Sequence, residues 1–121
     1  MKTAVIIALA LFALPSAAIA GHSELTVPPA QSFALGGDQP KPMMVRGTNL
    51  GPSEVAILSR TGTVESLIAT VPVGGKFEHS FAQGETALLQ NKSTTATARL
   101  SVDFDGTPAS LSMNYERKPK P

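Results

Sequence analysis

The clearest pattern in the chain runs from Ala98 to Glu116. Ala98, Leu100, Val102 and Phe104 are apolar and alternate with Arg99, Ser101, Asp103 and Asp105. Further on, Ala109, Leu111, Met113 and Tyr115 alternate with Ser110, Ser112, Asn114 and Glu116. Period-two alternation is the mark of a strand with one buried and one wet face. Between the two runs, Asp105-Gly106-Thr107-Pro108 has turn chemistry, so the pattern predicts a hairpin with one apolar face. Such a face needs a second layer to cover it.

The rest of the chain reads as that layer. Gly21 to Pro29 is expected to be an extended lead-in, because Pro28-Pro29 forbids a helix and removes two backbone donors. Gln31 to Leu35 and Met43 to Arg46 are short strand candidates, separated by the Gly36-Gly37-Asp38-Gln39-Pro40 loop. Gly47-Thr48-Asn49-Leu50-Gly51-Pro52 is the densest turn cluster in the sequence. Glu54 to Arg60 contains a continuous apolar run, as expected for a strand near a sheet centre. Thr61-Gly62 turns it into Val64 to Val71, whose β-branched content favours a second hairpin over a helix.

Lys76 to Phe81 sets Phe77, His79 and Phe81 on one face, and Thr86 to Gln90 is a further strand. About eight short strands at roughly ten-residue spacing predict an all-β fold. The expected architecture is a small antiparallel β-sandwich of the immunoglobulin-like or Greek-key kind. An outer-membrane barrel needs strands of about nine to eleven residues, and most of these runs are shorter.

The first twenty residues stand apart from this pattern. Lys2 precedes the apolar run Ala4 to Leu14, then Pro15-Ser16 and the small-x-small site Ala18-Ile19-Ala20. This predicts a secretory signal peptide over 1–20, cleaved before Gly21. The apolar core is shorter than the about 20 residues of a membrane span, so no transmembrane anchor is expected. The expected division is a signal peptide, a β-sandwich over 21–116 and a disordered basic tail over 117–121. The expected location is the periplasm or outside the cell.

Cleavage would bring the formal charge from +1 to zero. A neutral chain has no general electrostatic reason to bind nucleic acid, and with no Trp it has few stacking platforms. With no Cys, an exported fold has no disulfide and must rely on its core.

Catalytic constellations are absent from the sequence: no nucleophile elbow, no His-Glu-x-x-His, no phosphate-binding glycine loop. Asp103 and Asp105 are the only close carboxylate pair, and solvated charges at a sheet edge explain them without chemistry. Asn91-Lys92-Ser93 is a formal glycosylation acceptor.

His22 and His79 remain. His79 lies between Phe77 and Phe81 in the alternation, which suits a core-edge histidine. His22 would be the second residue of the mature chain. The amine, the amide nitrogen and the imidazole together suit Cu(II), while the Met43 and Met44 thioethers suit Cu(I). The start Gly21-His22-Ser23-Glu24-Leu25, with Pro28 following, resembles the periplasmic copper-resistance β-sandwich family. The resemblance covers about a dozen residues and implies one copper ligand, His22. That family's later Asp-x-His-Pro stretch has no counterpart here, since no His follows His79.

Two functions compete. The first is an exported, non-enzymatic module with a structural or partner-binding role. It would use the Gly47 to Ser53 loop or an edge strand near Gln31 to Leu35, through which copies could also self-associate. The second is a periplasmic copper-binding protein built on His22, with Met43, Met44 or His79 as further ligands. A hydrolase with a small cleft is a remainder.

Overall fold

The computed structural model describes residues 21–105 and 112–117. The expected signal peptide, the Gly106-Thr107-Pro108 part of the expected turn, Ala109 to Leu111 and residues 118–121 of the expected tail lie outside them. Nine strands are present among the described residues. They are β1 (Gly21–Val27), β2 (Gln31–Gly36), β3 (Met43–Gly51), β4 (Val55–Thr61) and β5 (Val64–Val71), then β6 (Lys76–Phe81), β7 (Thr86–Asn91), β8 (Ala98–Phe104) and β9 (Met113–Arg117).

Two antiparallel sheets pack face to face, as the alternation predicts. One has the order β1-β8-β3-β6 and the other β5-β4-β7-β2-β9. The pairings β1·β8, β2·β7, β3·β6 and β4·β5 are nested. The chain from β1 to β8 is thus one long hairpin, folded over so that alternate pairs fall in opposite sheets. Among Greek-key sandwiches this is the jelly-roll connectivity, distinct from the immunoglobulin order.

Between the sheets lies a continuous apolar core. Leu25, Val27, Val45, Phe81, Leu100 and Val102 come from one sheet, and Leu35, Val55, Ile57, Val71 and Leu89 from the other. Each such side chain contributes about 1.5–3 kcal/mol on burial, which is what a fold without disulfides relies on. Gly47 sits where β3 and β8 meet tightly. A Cβ there would stand 2.6 Å from the Ser101 carbonyl oxygen and 3.0 Å from the Phe77 ring.

Several expectations change. The Ala98 to Glu116 run is not a hairpin: β8 pairs with β1 and β3, while β9 pairs with β2 in the other sheet. In β9 the alternating apolar residues are not buried; Met113 is 38% and Tyr115 47% exposed at the rim. Tyr115 meets Phe33 edge-on, ring centres 5.2 Å apart.

The Gly21 to Pro29 lead-in is largely strand β1. The turn cluster after Arg46 is mostly strand as well, since β3 runs on to Gly51 with a register shift between Asn49 and Gly51. Gln31 to Leu35 is not an edge, because β2 lies between β7 and β9. Arg117 of the expected tail is the last residue of β9, in register with Gln31. The β4–β5 hairpin is as expected.

Candidate functional site

The strand register aligns polar residues into rows across the outward face of the four-stranded sheet. In one row His22 stands beside Asp103, Asp103 beside Arg46, and Arg46 beside Glu78. In the next row the sequence is Glu24, Ser101, Thr48 and Lys76. All eight point away from the core, because their chain neighbours Leu25, Val45, Phe77, Leu100 and Val102 are the buried positions of the alternation.

His22 closes one end of this face. Its Nδ1 lies 2.5 Å from Asp103 Oδ1 and its Nε2 lies 2.6 Å from Glu24 Oε2. The bonds to Asp103 and then Glu24 hold the imidazole pKa above its ordinary value of 6.5. The cause is simple: only the imidazolium can donate to both carboxylates at once. Ser101 Oγ also donates to Glu24 Oε2, at 3.2 Å.

The middle of the face is a shallow cleft of about 430 Å³ lined by Arg46, Thr48, Lys76, Glu78, Ser101 and Asp103. Arg46 and Lys76 make no ion pair among the described residues. Half of the face therefore carries two unpaired cations, and the other half two carboxylates bridged by one histidine.

The four expected copper ligands do not meet. His22 faces outward on β1, and both of its nitrogens are engaged. His79 is on the inward-facing side of β6, its ring edge-on to Phe81 at 4.9 Å. Met43 is buried in the core, while Met44 has the opposite orientation on β3. Among the described residues no group of three or more His, Cys, Asp or Glu is placed to hold a metal ion. The formal glycosylation acceptor is also displaced: Asn91 is 1% exposed, and its side-chain nitrogen is committed to backbone carbonyls.

A second surface lies at the margin of the five-stranded sheet. The first half of β5 is exposed along its length, with Val64 66% and Leu67 64% exposed. Glu65 is its only charge. The other sheet margins carry more: Glu24 and His22 on β1, Lys76 and Glu78 on β6, and Glu116 and Arg117 on the short β9. Charge, short length and bulges are the usual protections of a strand edge. On β5 they amount to Glu65 and a register shift against β4, between Ile57 and Leu58.

The rows are not legible in the sequence, because cross-strand neighbours are set by pairing and register. One signal was present: Leu25 and Val27 already alternate with Glu24 and Thr26, the pattern of a half-buried strand.

The fold and these surfaces define a jelly-roll β-sandwich with a polar sheet face and an open apolar edge. No protein-family description matches the chain, and no curated protein matches it. Among solved structures it is similar to the Yersinia pseudotuberculosis-derived mitogen, at 10% identity and a TM-score of 0.44, over 76% of this chain and 92% of that one. No helix among the described residues is long and apolar enough to cross a membrane.

Proposed function

We propose that this protein is an exported, non-enzymatic β-sandwich module, periplasmic or secreted, that works by binding a partner through strand addition at β5. The observation that carries the reading is the open half-strand Val64 to Leu67. Main-chain donors and acceptors at a sheet margin supply affinity for an extended segment, and the side chains at alternate positions supply selectivity. Val64 and Leu67 give that segment apolar contact, while Glu65 gives it the only charge to read. The segment is that of a cell-envelope protein or a second copy of the chain.

The polar face supports the non-enzymatic part of the reading. Ser101 and Thr48 are the hydroxyls of its two rows, and the one nearby imidazole has both nitrogens turned to carboxylates. The Glu24 oxygen that accepts from Ser101 Oγ is already taken up by His22 Nε2, so among the described residues neither hydroxyl has an uncommitted base beside it. Copper handling retains only His22 among its expected ligands, so binding at a surface is the reading that the geometry favours.

The test is a comparison of the purified protein with a Val64→Lys/Leu67→Lys variant as bait in extracts of the native cell envelope. A partner held by the parent and lost by the variant, with the same circular dichroism for both, supports strand addition at β5. A parent protein that retains nothing the variant loses, with self-association that the variant leaves unchanged, overturns it.

A further inference from the structure

The polar rows have a symmetry that neither the fold nor the edge strand requires. Take a two-fold axis lying over the sheet, parallel to the strands and between β8 and β3. Rotation about it carries β1 onto β6 and β8 onto β3. Each row is then laid over the same row of a second copy, in reverse.

Within these two rows every charge meets its opposite, while Arg99, also outward on β8, lies beyond them in register with Thr26. His22 falls over Glu78, Asp103 over Arg46, Glu24 over Lys76, and Ser101 over Thr48. Two-fold interfaces are isologous, so a surface that serves one must be complementary to itself in this way. We propose that the outward face of the β1-β8-β3-β6 sheet is the interface of a two-fold symmetric dimer of this chain.

Three further observations agree with this occupant. Arg46 and Lys76 have no carboxylate partner among the described residues, although Arg46 stands between Asp103 and Glu78 in register. Across the axis each meets a carboxylate. The formal net charge is only +1, so two copies approach without appreciable repulsion. The central cleft is open and shallow, and the opposite half-face of a second copy supplies side chains to fill it.

The size of the face sets the strength. Four strands about 4.8 Å apart and about 3.4 Å per residue along seven-residue β8 give a footprint of about 450 Å². A standard stable interface buries roughly 800 Å² on each partner. The dimer therefore belongs to the weak, exchanging class, held by polar pairs and loosened by salt. Because β5 lies in the other sheet, this pairing leaves its edge free, and the dimer presents two such edges.

Glu24 and Lys76 make the test selective. They sit on the two opposite margins of the sheet and make no ion pair with each other among the described residues. Sedimentation velocity over a concentration series should show the parent protein passing from monomer to dimer, with weaker association at high salt. Glu24→Lys alone and Lys76→Glu alone each place like charges opposite one another twice per dimer. Each should raise the dissociation constant about tenfold or more, with unchanged circular dichroism.

An equal mixture of the two variants should associate again, since every altered residue then faces its complement. A parent protein that stays monomeric throughout overturns the proposal, as does a mixture that associates no better than its components. Dimerisation abolished by Val64→Lys/Leu67→Lys and untouched at Glu24 and Lys76 assigns the contact to β5 and also overturns it.

Discussion

Asn91, the last residue of β7, donates from Nδ2 to the carbonyl oxygen of Val27, the last residue of β1, at 3.0 Å. The two strands belong to opposite sheets, so one amide ties the layers together at their rim. The same nitrogen reaches Ala96 O at 2.8 Å and Pro28 O at 3.2 Å, and Oδ1 accepts from Ser93 N at 2.9 Å. Asn49 does equivalent work on the other side: its Nδ2 donates to Ser53 O and Val71 O, while its Oδ1 accepts from Gly51 N.

Replacing Asn91 by Ala leaves buried carbonyls and one amide without partners. The expected loss is about 2–3 kcal/mol, on the scale of a buried group left unsatisfied. Asn91→Asp should cost more, because it turns an oxygen toward three carbonyl oxygens. Urea denaturation of the two variants checks both the size and the order. A loss below about 0.5 kcal/mol for Asn91→Ala would mean that water replaces the amide without cost.

His22 makes folding pH-dependent. Its pKa is raised in the folded state by Asp103 and Glu24, so the folded protein holds the proton more tightly than the unfolded chain. The stabilisation is fully present below the unfolded value of 6.5 and is lost as pH rises through the folded value. Thermal melts should show parent and His22→Ala converging in alkaline buffer and diverging in mildly acidic buffer, the parent being the more stable. Titration of the imidazole by NMR should place its midpoint above 6.5; a midpoint at or below that value contradicts the pair of bonds.

Arg60 on β4 and Glu116 on β9 form a bidentate pair, with both N–O distances 2.7 Å. In the sheet order they are separated by β7 and β2, so a flat sheet would hold their strands about 14 Å apart. The two long side chains bridge the outward face over the strands between them. Arg60 holds the Glu116 carboxyl below its ordinary value of 4.5. The stabilisation is present above 4.5 and is lost as pH falls through the lower folded value. At this partial exposure Glu116→Gln should cost about 0.5–1 kcal/mol at neutral pH and nothing in strong acid. Chemical denaturation at the two pH values measures it, and an equal cost at both would assign the effect to packing.

The alternation of apolar and polar residues by itself determined that the chain is all-β. It also located most strands, chose the buried face of β8, and predicted the β4–β5 hairpin, whose strands are joined by a turn too short to lead anywhere else. A half-buried strand reports its inward face residue by residue, and that information is local. It could not determine which strands lie side by side. The runs ending at Asp105 and resuming before Met113 look like a hairpin in sequence, yet the connection is long enough to pass from one sheet to the other. The antiparallel partner was decided by the nesting of the whole hairpin. The same holds for the three buried amides: Gln39, Asn49 and Asn91 sit in stretches that read as loops or turns, and their partners lie as many as 46, 22 and 64 residues away. The polar rows are tertiary for the same reason. His22, Asp103, Arg46 and Glu78 are scattered along the chain and become neighbours only when register fixes four strands against one another.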